Sequence, residues 1–231
     1  MIRACIFDLD GTLANTIDSM AVIANGILED LGLQALPSDN FRYYAGDGAG
    51  MLVRRCLRDA GDPELVHAVE MEEIYREKFN QDPLYRVTVY DGIEDVLRRF
   101  REMGVPIAVC TNKPHEAALQ VIGTLFPGLF NVVQGQTEGL RRKPAPDSPL
   151  RIAELLQVKP EECMYIGDTA TDMQTGISAG MFTVGVLWGF RPREELEGAH
   201  AARIVETPED LLTLFEEENK KEQESRKETD E

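Results

Sequence analysis

Short apolar runs alternate along the chain with longer segments whose apolar positions recur at helical spacing. Residues 3–8, 106–111, 131–134, 163–168 and 182–186 are too short to stand as helices and are rich in Val, Ile and Phe, so they predict buried strands. Between them, residues 93–103, 114–125, 146–156 and 169–179 carry helical periodicity, and Gly104 and Gly180 sit where a left-handed residue would end two of these helices. The βαβα alternation predicts an α/β fold: a doubly wound parallel-sheet, Rossmann-like core with helices on both faces.

Residues 15–85 break that rhythm, supplying helical patterns with no strand between them. Ile17, Met20, Ile23, Ile27 and Leu31 form one apolar stripe, and residues 51–57 carry a second. Asp62-Pro63 predicts the start of a third helix, with the aspartate as N-cap and the proline at the first helical position. The expected organisation is therefore an α/β core from residues 1–14 and 86–215 with a helical domain, 15–85, inserted after the first strand. Residues 216–231 hold eight acidic and four basic side chains and almost no apolar ones, which predicts a frayed helix end or a disordered tail.

Composition narrows the class. With 43% apolar residues among 231, the chain can bury a sizeable core. Its 24 basic and 41 acidic side chains give 24 − 41 = −17, a charge that repels phosphodiester backbones and anionic membranes, so neither nucleic acid nor membrane is an expected partner. No apolar run approaches the roughly 20 residues of a membrane span, and the stretch before Asp8 is too short for a signal peptide. Cys5, Cys56, Cys110 and Cys163 lie far apart without a Cys-x-x-Cys, and His67, His115 and His200 are isolated; the reading is buried reduced thiols in a cytoplasmic protein. A monomer or homodimer is expected.

Candidate chemistry collects at strand ends. The first strand runs into Asp8-Leu9-Asp10-Gly11-Thr12; alone this reads equally as a glycine turn or as a divalent-metal site whose carboxylate also acts as nucleophile. Thr111-Asn112 ends another strand and alone reads as a helix N-cap. Lys143-Pro144 precedes the next helix, where a single lysine is ordinarily solvated. Gly167-Asp168 ends a fourth strand with Asp172 one turn into the following helix, again a capping pattern by itself. Taken in order, the four are stronger than any one, because ligands of doubly wound sheets bind outside the carboxyl ends of strands, where strand order reverses.

With Asp8-Leu9-Asp10-Gly11-Thr12, Thr111-Asn112-Lys113, Lys143-Pro144 and Gly167-Asp168-Thr169 plus Asp172, the sequence resembles the haloacid dehalogenase superfamily over nearly the whole chain. The insert after the first motif matches the placement of that family's small helical cap. The resemblance implies an Mg²⁺-dependent phosphatase acting through an aspartyl-phosphate. Asp8, the Asp10 backbone carbonyl and Asp168 would hold the metal, with Asp172 in its first or second shell. Asp8 would be the nucleophile and Asp10 the general acid and base; Thr111 and the Asn112 amide would bind phosphoryl oxygens, and Lys143 would offset charge. The family's dehalogenases lack an acid at the Asp10 position, and a phosphonatase would want a Schiff-base lysine where this insert offers only Lys78, among acidic neighbours. Receiver domains share strand-end acids, a threonine and a lysine but carry no insert of this kind, and a non-catalytic relative would be expected to lose Asp8, Asp10 or Lys143.

The insert's Ala45-Gly46-Asp47-Gly48-Ala49-Gly50 reads either as a turn or as a loop whose glycines let backbone approach a small ligand. With Thr111-Asn112-Lys113 it looks most like the phosphoglycolate phosphatase branch, which makes Asn112, Lys113, Gly46, Asp47, Gly48 and Arg54 the expected substrate contacts. Arg42, Arg54, Arg55 and Arg58 cluster about the loop in an otherwise acidic chain, and one facing the site could pair with a substrate carboxylate. A small anionic phosphorylated metabolite, phosphoglycolate foremost, is thus the expected substrate, with pyrophosphate and hexose phosphates, as hydrolysis or mutase substrates, as the alternatives.

Overall fold

A computed structural model describes residues 1–229. Six parallel strands form the main sheet in the order β5-β4-β1-β6-β7-β8: β1 Ala4–Phe7, β4 Ile107–Pro114, β5 Val132–Gln136, β6 Cys163–Gly167, β7 Phe182–Val186 and β8 Arg203–Val205. Central β1 pairs Cys5 with Ile107 on one side and Met164 on the other. The chain builds outward from β1 through β4 to β5, then returns across β1 to build β6, β7 and β8. The carboxyl ends of β1, β4 and β6 therefore meet at the point where strand order reverses.

The continuous apolar character of these strands has a direct cause. Cys5, Phe7, Ile107, Val109, Met164 and Ile166 face one apolar layer, while Ala4, Ile6, Ala108, Cys110, Cys163 and Tyr165 face the other. Helices α5 Ile93–Glu102 and α6 His115–Leu125 contribute Val96, Leu97, Phe100, Val121 and Ile122 to the first layer. Helix α7 Asp147–Leu155 contributes Ile152 and Ala153 to the second, and α8 Ala170–Ser178 lies against β6 and β7. All four cysteines are buried and free, three of them in these central strands.

A two-residue antiparallel pair, β2 Ala14–Asn15 with β3 Thr88–Val89, joins the points where the chain leaves the sheet and comes back. Between them lie α1 Ile17–Asp30, α2 Phe41–Tyr44, α3 Ala49–Ala60 and α4 Ala68–Gln81. Their apolar stripes enclose a separate core of Ile17, Met20, Ile27, Phe41, Leu52, Leu57, Met71 and Phe79. The predicted helix at Asp62-Pro63 is a turn instead: the Asp62 carboxylate accepts from the Val66 and His67 amides, at 3.0 and 2.9 Å, and α4 begins only at Ala68.

Two elements depart from the predicted order. After α9 Arg193–Gly198, the short edge strand β8 lacks an apolar run, carrying Arg203 on its exposed rim. The charged C-terminal segment is helical as far as Thr229, within α10 Asp210–Thr229; residues 230 and 231 lie outside the described residues. Leu211, Leu214 and Phe215 seat α10 on the first apolar layer, with Phe215 edge-on to Phe100 at 5.4 Å between centroids. Asn219 then clamps the chain's start, donating to the Ile2 carbonyl at 3.1 Å and accepting from its amide at 2.6 Å. Among the described residues, no helix is long and apolar enough to cross a membrane.

Candidate active site

Four buried side chains converge beyond β1, β4 and β6. Asp8 leaves β1, Asp168 and Asp172 flank the start of α8, and Lys143 arrives from the loop before α7. Carboxylate oxygens of Asp8, Asp168 and Asp172 all lie within 4.8 Å of one another. Lys143 Nζ stands 2.9 Å from Asp8 Oδ1 and 2.7 Å from Asp172 Oδ1. The Asp8 contact is an ion pair without hydrogen-bond alignment, so Asp8 Oδ1 remains a buried acceptor with no hydrogen-bond donor.

The carboxylates differ in how they are held. Thr169, at the N-cap of α8, donates from its amide and hydroxyl to Asp172 Oδ2 at 3.1 and 2.6 Å, while Lys143 takes Oδ1. Asp172 is thus a brace that orients Lys143 and closes a capping box. Thr169, not Asp168, is the cap, and Thr111 and Asn112 cap nothing, because β4 runs on to Pro114. Asp168 accepts from the Phe190 amide at 2.8 Å and the Thr12 hydroxyl at 3.2 Å. Two glycines make room for it: a Cβ on Gly11, at φ +91°, would meet Asp168 Oδ2 at 2.3 Å, and one on Gly189 would meet Asp168 Cβ at 2.3 Å. Gly11 in the first motif is required by space as well as by its left-handed backbone.

Electrostatics sets the site's character. Burial drives Asp8 up to about 7, with Lys143 pulling it down and Asp172 pushing it up. Asp168 is raised well above the usual carboxylate range by burial and then by Asp172 and Asp8. Burial alone would discharge Lys143, but Asp172 and Asp8 outweigh it and hold the ammonium charged. Fully ionised, three carboxylates against one ammonium would carry 1 − 3 = −2 in a buried space. A divalent hard cation with oxygen ligands matches both that charge and the unsatisfied Asp8 oxygen.

A cleft opens above Asp8 and Asp10. Its floor includes Thr111, Asn112, Lys113 and Lys143, and its roof comes from the helical insert. A register shift in β4 between Cys110 and Pro114 frees residues 111–113 from regular pairing, and such bulges re-aim side chains beside sites. Asn112 ties the layers together, donating to the Gly46 carbonyl at 3.2 Å and accepting from the Lys143 amide at 3.0 Å. The loop 45–48 is docked on the core at further points: the Thr171 hydroxyl donates to Asp47 at 2.7 Å, and Arg191 donates to the Ala45 carbonyl at 2.9 Å. Gly46 and Gly48 have φ of +107° and +85° and line the cleft.

Not every expected contact faces the cleft. Asp47 spends its oxygens on Thr171 and Arg55, and Arg54 turns to the Gly50 carbonyl and Glu72. The cation lining the roof is Arg76 of α4, which donates twice to Glu72 Oε1, at 3.1 and 2.6 Å, and stands beside Asn80 and an apolar wall of Met20, Leu52, Tyr75 and Phe79. Lys78 pairs weakly with Asp30 at 3.9 Å and is not among the cleft-lining residues. Sequence reasoning missed Arg76, Asn80 and the loop 187–191. The loop follows β7, so the strand-end rule that led to Asp8 and Asp168 applies to Gly189 as well; the roof residues offer no comparable signal, since Arg76 sits in an ordinary charged helix face.

A family model for haloacid dehalogenase-like hydrolases matches residues 5–186. The chain is 35% identical over 208 residues to a phosphoglycolate phosphatase of Rhodobacter capsulatus, covering 88% of this chain and 93% of that one. It is 32% identical over 229 residues to a phosphoglycolate phosphatase of Neisseria meningitidis, covering 96% and 97%. A crystal structure of a Lactobacillus delbrueckii protein superposes with a TM-score of 0.86 at 31% identity, covering 90% of this chain and 96% of that one. On its fold, its ordered motifs and these matches, the chain belongs to the haloacid dehalogenase-like hydrolase family.

Proposed function

We propose that this hydrolase is an Mg²⁺-dependent phosphomonoesterase that works through an aspartyl-phosphate on Asp8, with phosphoglycolate as substrate. The observation that carries the reading is the buried acidic trio with one lysine, opening onto a cleft at Asp8. Asp8, Asp168 and the Asp10 carbonyl would hold the metal, with Asp172 acting through Lys143. When bound, Mg²⁺ offsets the repulsion between a carboxylate and a phosphoryl dianion.

The chain's own residues supply the steps. An Asp8 oxygen forms a bond to phosphorus as the ester P–O bond breaks, and Asp10 gives its proton to the departing alkoxide. Asp10 then takes a proton from the water that attacks phosphorus, and the Asp8 carboxylate leaves as inorganic phosphate forms. Thr111 and the Asn112 amide hold phosphoryl oxygens, and Lys143 stabilises the charge that spreads over them. The substrate's carboxylate is read from the roof, where Arg76, though bonded to Glu72, lines the cleft and the expected Arg54 does not. Support for phosphoglycolate comes from that cation and from the relatives' activity. Phosphoglycolate should be hydrolysed with a higher kcat/KM than ethyl phosphate, pyrophosphate or glucose 6-phosphate; equal turnover of phosphoglycolate and ethyl phosphate contradicts the acid-specific reading.

Metal binding should also be visible in stability. Asp8 has its folded value, about 7, above its ordinary 3.8, so between these values the folded state binds more protons than the unfolded one. Stability of the metal-free protein therefore falls as pH rises through that window. Magnesium replaces the protons, and the rise in Tm on adding it is expected to be larger at about pH 8 than at about pH 5. An equal rise at both values contradicts the placement of the metal on these carboxylates.

A further inference from the structure

Lys113 is buried against two partners from different parts of the molecule. Its Nζ lies 2.9 Å from Asp10 Oδ1 and 4.3 Å from the centroid of the Phe79 ring on α4. The lysine side chain is 1% exposed and the Asp10 side chain 17%. A compact, strongly hydrated ammonium is costly to bury unless its partners replace the water, and here a carboxylate and an aromatic face do so. Among the described residues, no other side chain bonds to the Asp10 carboxylate.

The backbone gives this arrangement its direction. Lys113 lies in the irregular stretch of β4, where its amide donates to the Thr111 hydroxyl at 3.2 Å. On neighbouring β5, Gly135 lets the strand pass close, since a Cβ there would meet the Lys113 carbonyl at 2.7 Å. The lysine is thus set by the core, the carboxylate it holds belongs to the loop after β1, and the ring that covers it belongs to the insert.

Resting on the reading of Asp10 as proton donor and acceptor, we propose that Lys113 is a positioning residue. It pins one Asp10 oxygen so that the other is fixed for proton transfer, and through Phe79 it makes that aim depend on α4 being seated over the core. Roof closure and acid placement become one event. Both partners of the ammonium belong to the protein, which sets this role apart from direct capture of a substrate carboxylate.

Leaving-group dependence tests the assignment. Phenyl phosphate and p-nitrophenyl phosphate share shape and charge, but nitrophenolate departs with little need of a proton, and kcat/KM reports the step in which the leaving group goes. Lys113→Met should lower kcat/KM for phenyl phosphate about 10- to 100-fold and for p-nitrophenyl phosphate much less. Lys113→Arg should recover most of the ratio between the two, and Phe79→Leu should shift it the same way as Lys113→Met by about threefold. Because the ratio is taken on one preparation, it is insensitive to the fraction folded. An unchanged ratio in Lys113→Met overturns the proposal, as does a loss confined to phosphoglycolate with both aryl esters unaffected. Wild-type protein inert toward all three esters with Mg²⁺ would overturn the phosphatase reading itself, an outcome seen before any variant is made.

Discussion

Asp8→Asn is expected to reduce Mg²⁺-dependent phosphate release to background, a loss of at least about 10⁴-fold, while leaving the protein folded. The amide keeps the shape of the carboxylate but cannot form the acyl-phosphate bond. Stability should not fall, because Asp8 is one of three crowded carboxylates and its removal relieves repulsion with Asp172 and Asp168. Lys143 keeps Asp172 at 2.7 Å. In the presence of a chelator the variant should melt at or above the wild-type Tm, the pattern expected where a residue is held for chemistry at the expense of stability. Phosphate release assays and thermal melts check the two halves separately, and retained activity contradicts the assignment of Asp8.

Lys143→Met should fail in the opposite way, losing activity and stability together. The lysine is the single buried cation between Asp8 and Asp172, with its side chain 3% exposed. Removing it leaves Asp8 and Asp172 without their buried countercharge, a change that typically costs about 3–5 kcal/mol. Loss of the charge facing the transferred group should lower kcat about 10²- to 10³-fold in addition. Added Mg²⁺ should recover part of the stability but not the rate. The contrast between the two variants, read by chemical denaturation and by kcat with and without the metal, separates the nucleophile from the charge that supports it.

What the sequence made legible follows from where its physical constraints are local. The four central strands announce themselves because both faces are buried, as at Cys5–Phe7 and Met164–Ile166. Asp8, Lys143, Asp168 and Asp172 were reachable because parallel-sheet topology brings strand ends together whatever their sequence separation. Strand β8 escaped notice because a three-residue edge has one exposed face and no apolar run. Asp62-Pro63 carries the local chemistry of a helix start, yet its carboxylate closes a turn whose outcome depends on how α3 and α4 pack. The roof was least legible: Arg54 and Arg76 both sit on charged helix faces, and only the docking of the insert on the core decides which one looks into the cleft. Past its last apolar residues helix α10 is tied to the first strand's approach, where Asn219 bonds Ile2, a contact distant in sequence.

In the proposed reaction Asp8 itself takes the phosphoryl group. Wild-type enzyme turning over phosphoglycolate with Mg²⁺ can be quenched in acid, reduced with borohydride and digested, since reduction converts an acyl-phosphate aspartate to homoserine. Peptide mass spectrometry should then find homoserine at position 8, only when both substrate and Mg²⁺ were present. Unmodified Asp8 in enzyme that is actively releasing phosphate, or modification at another carboxylate, would contradict it.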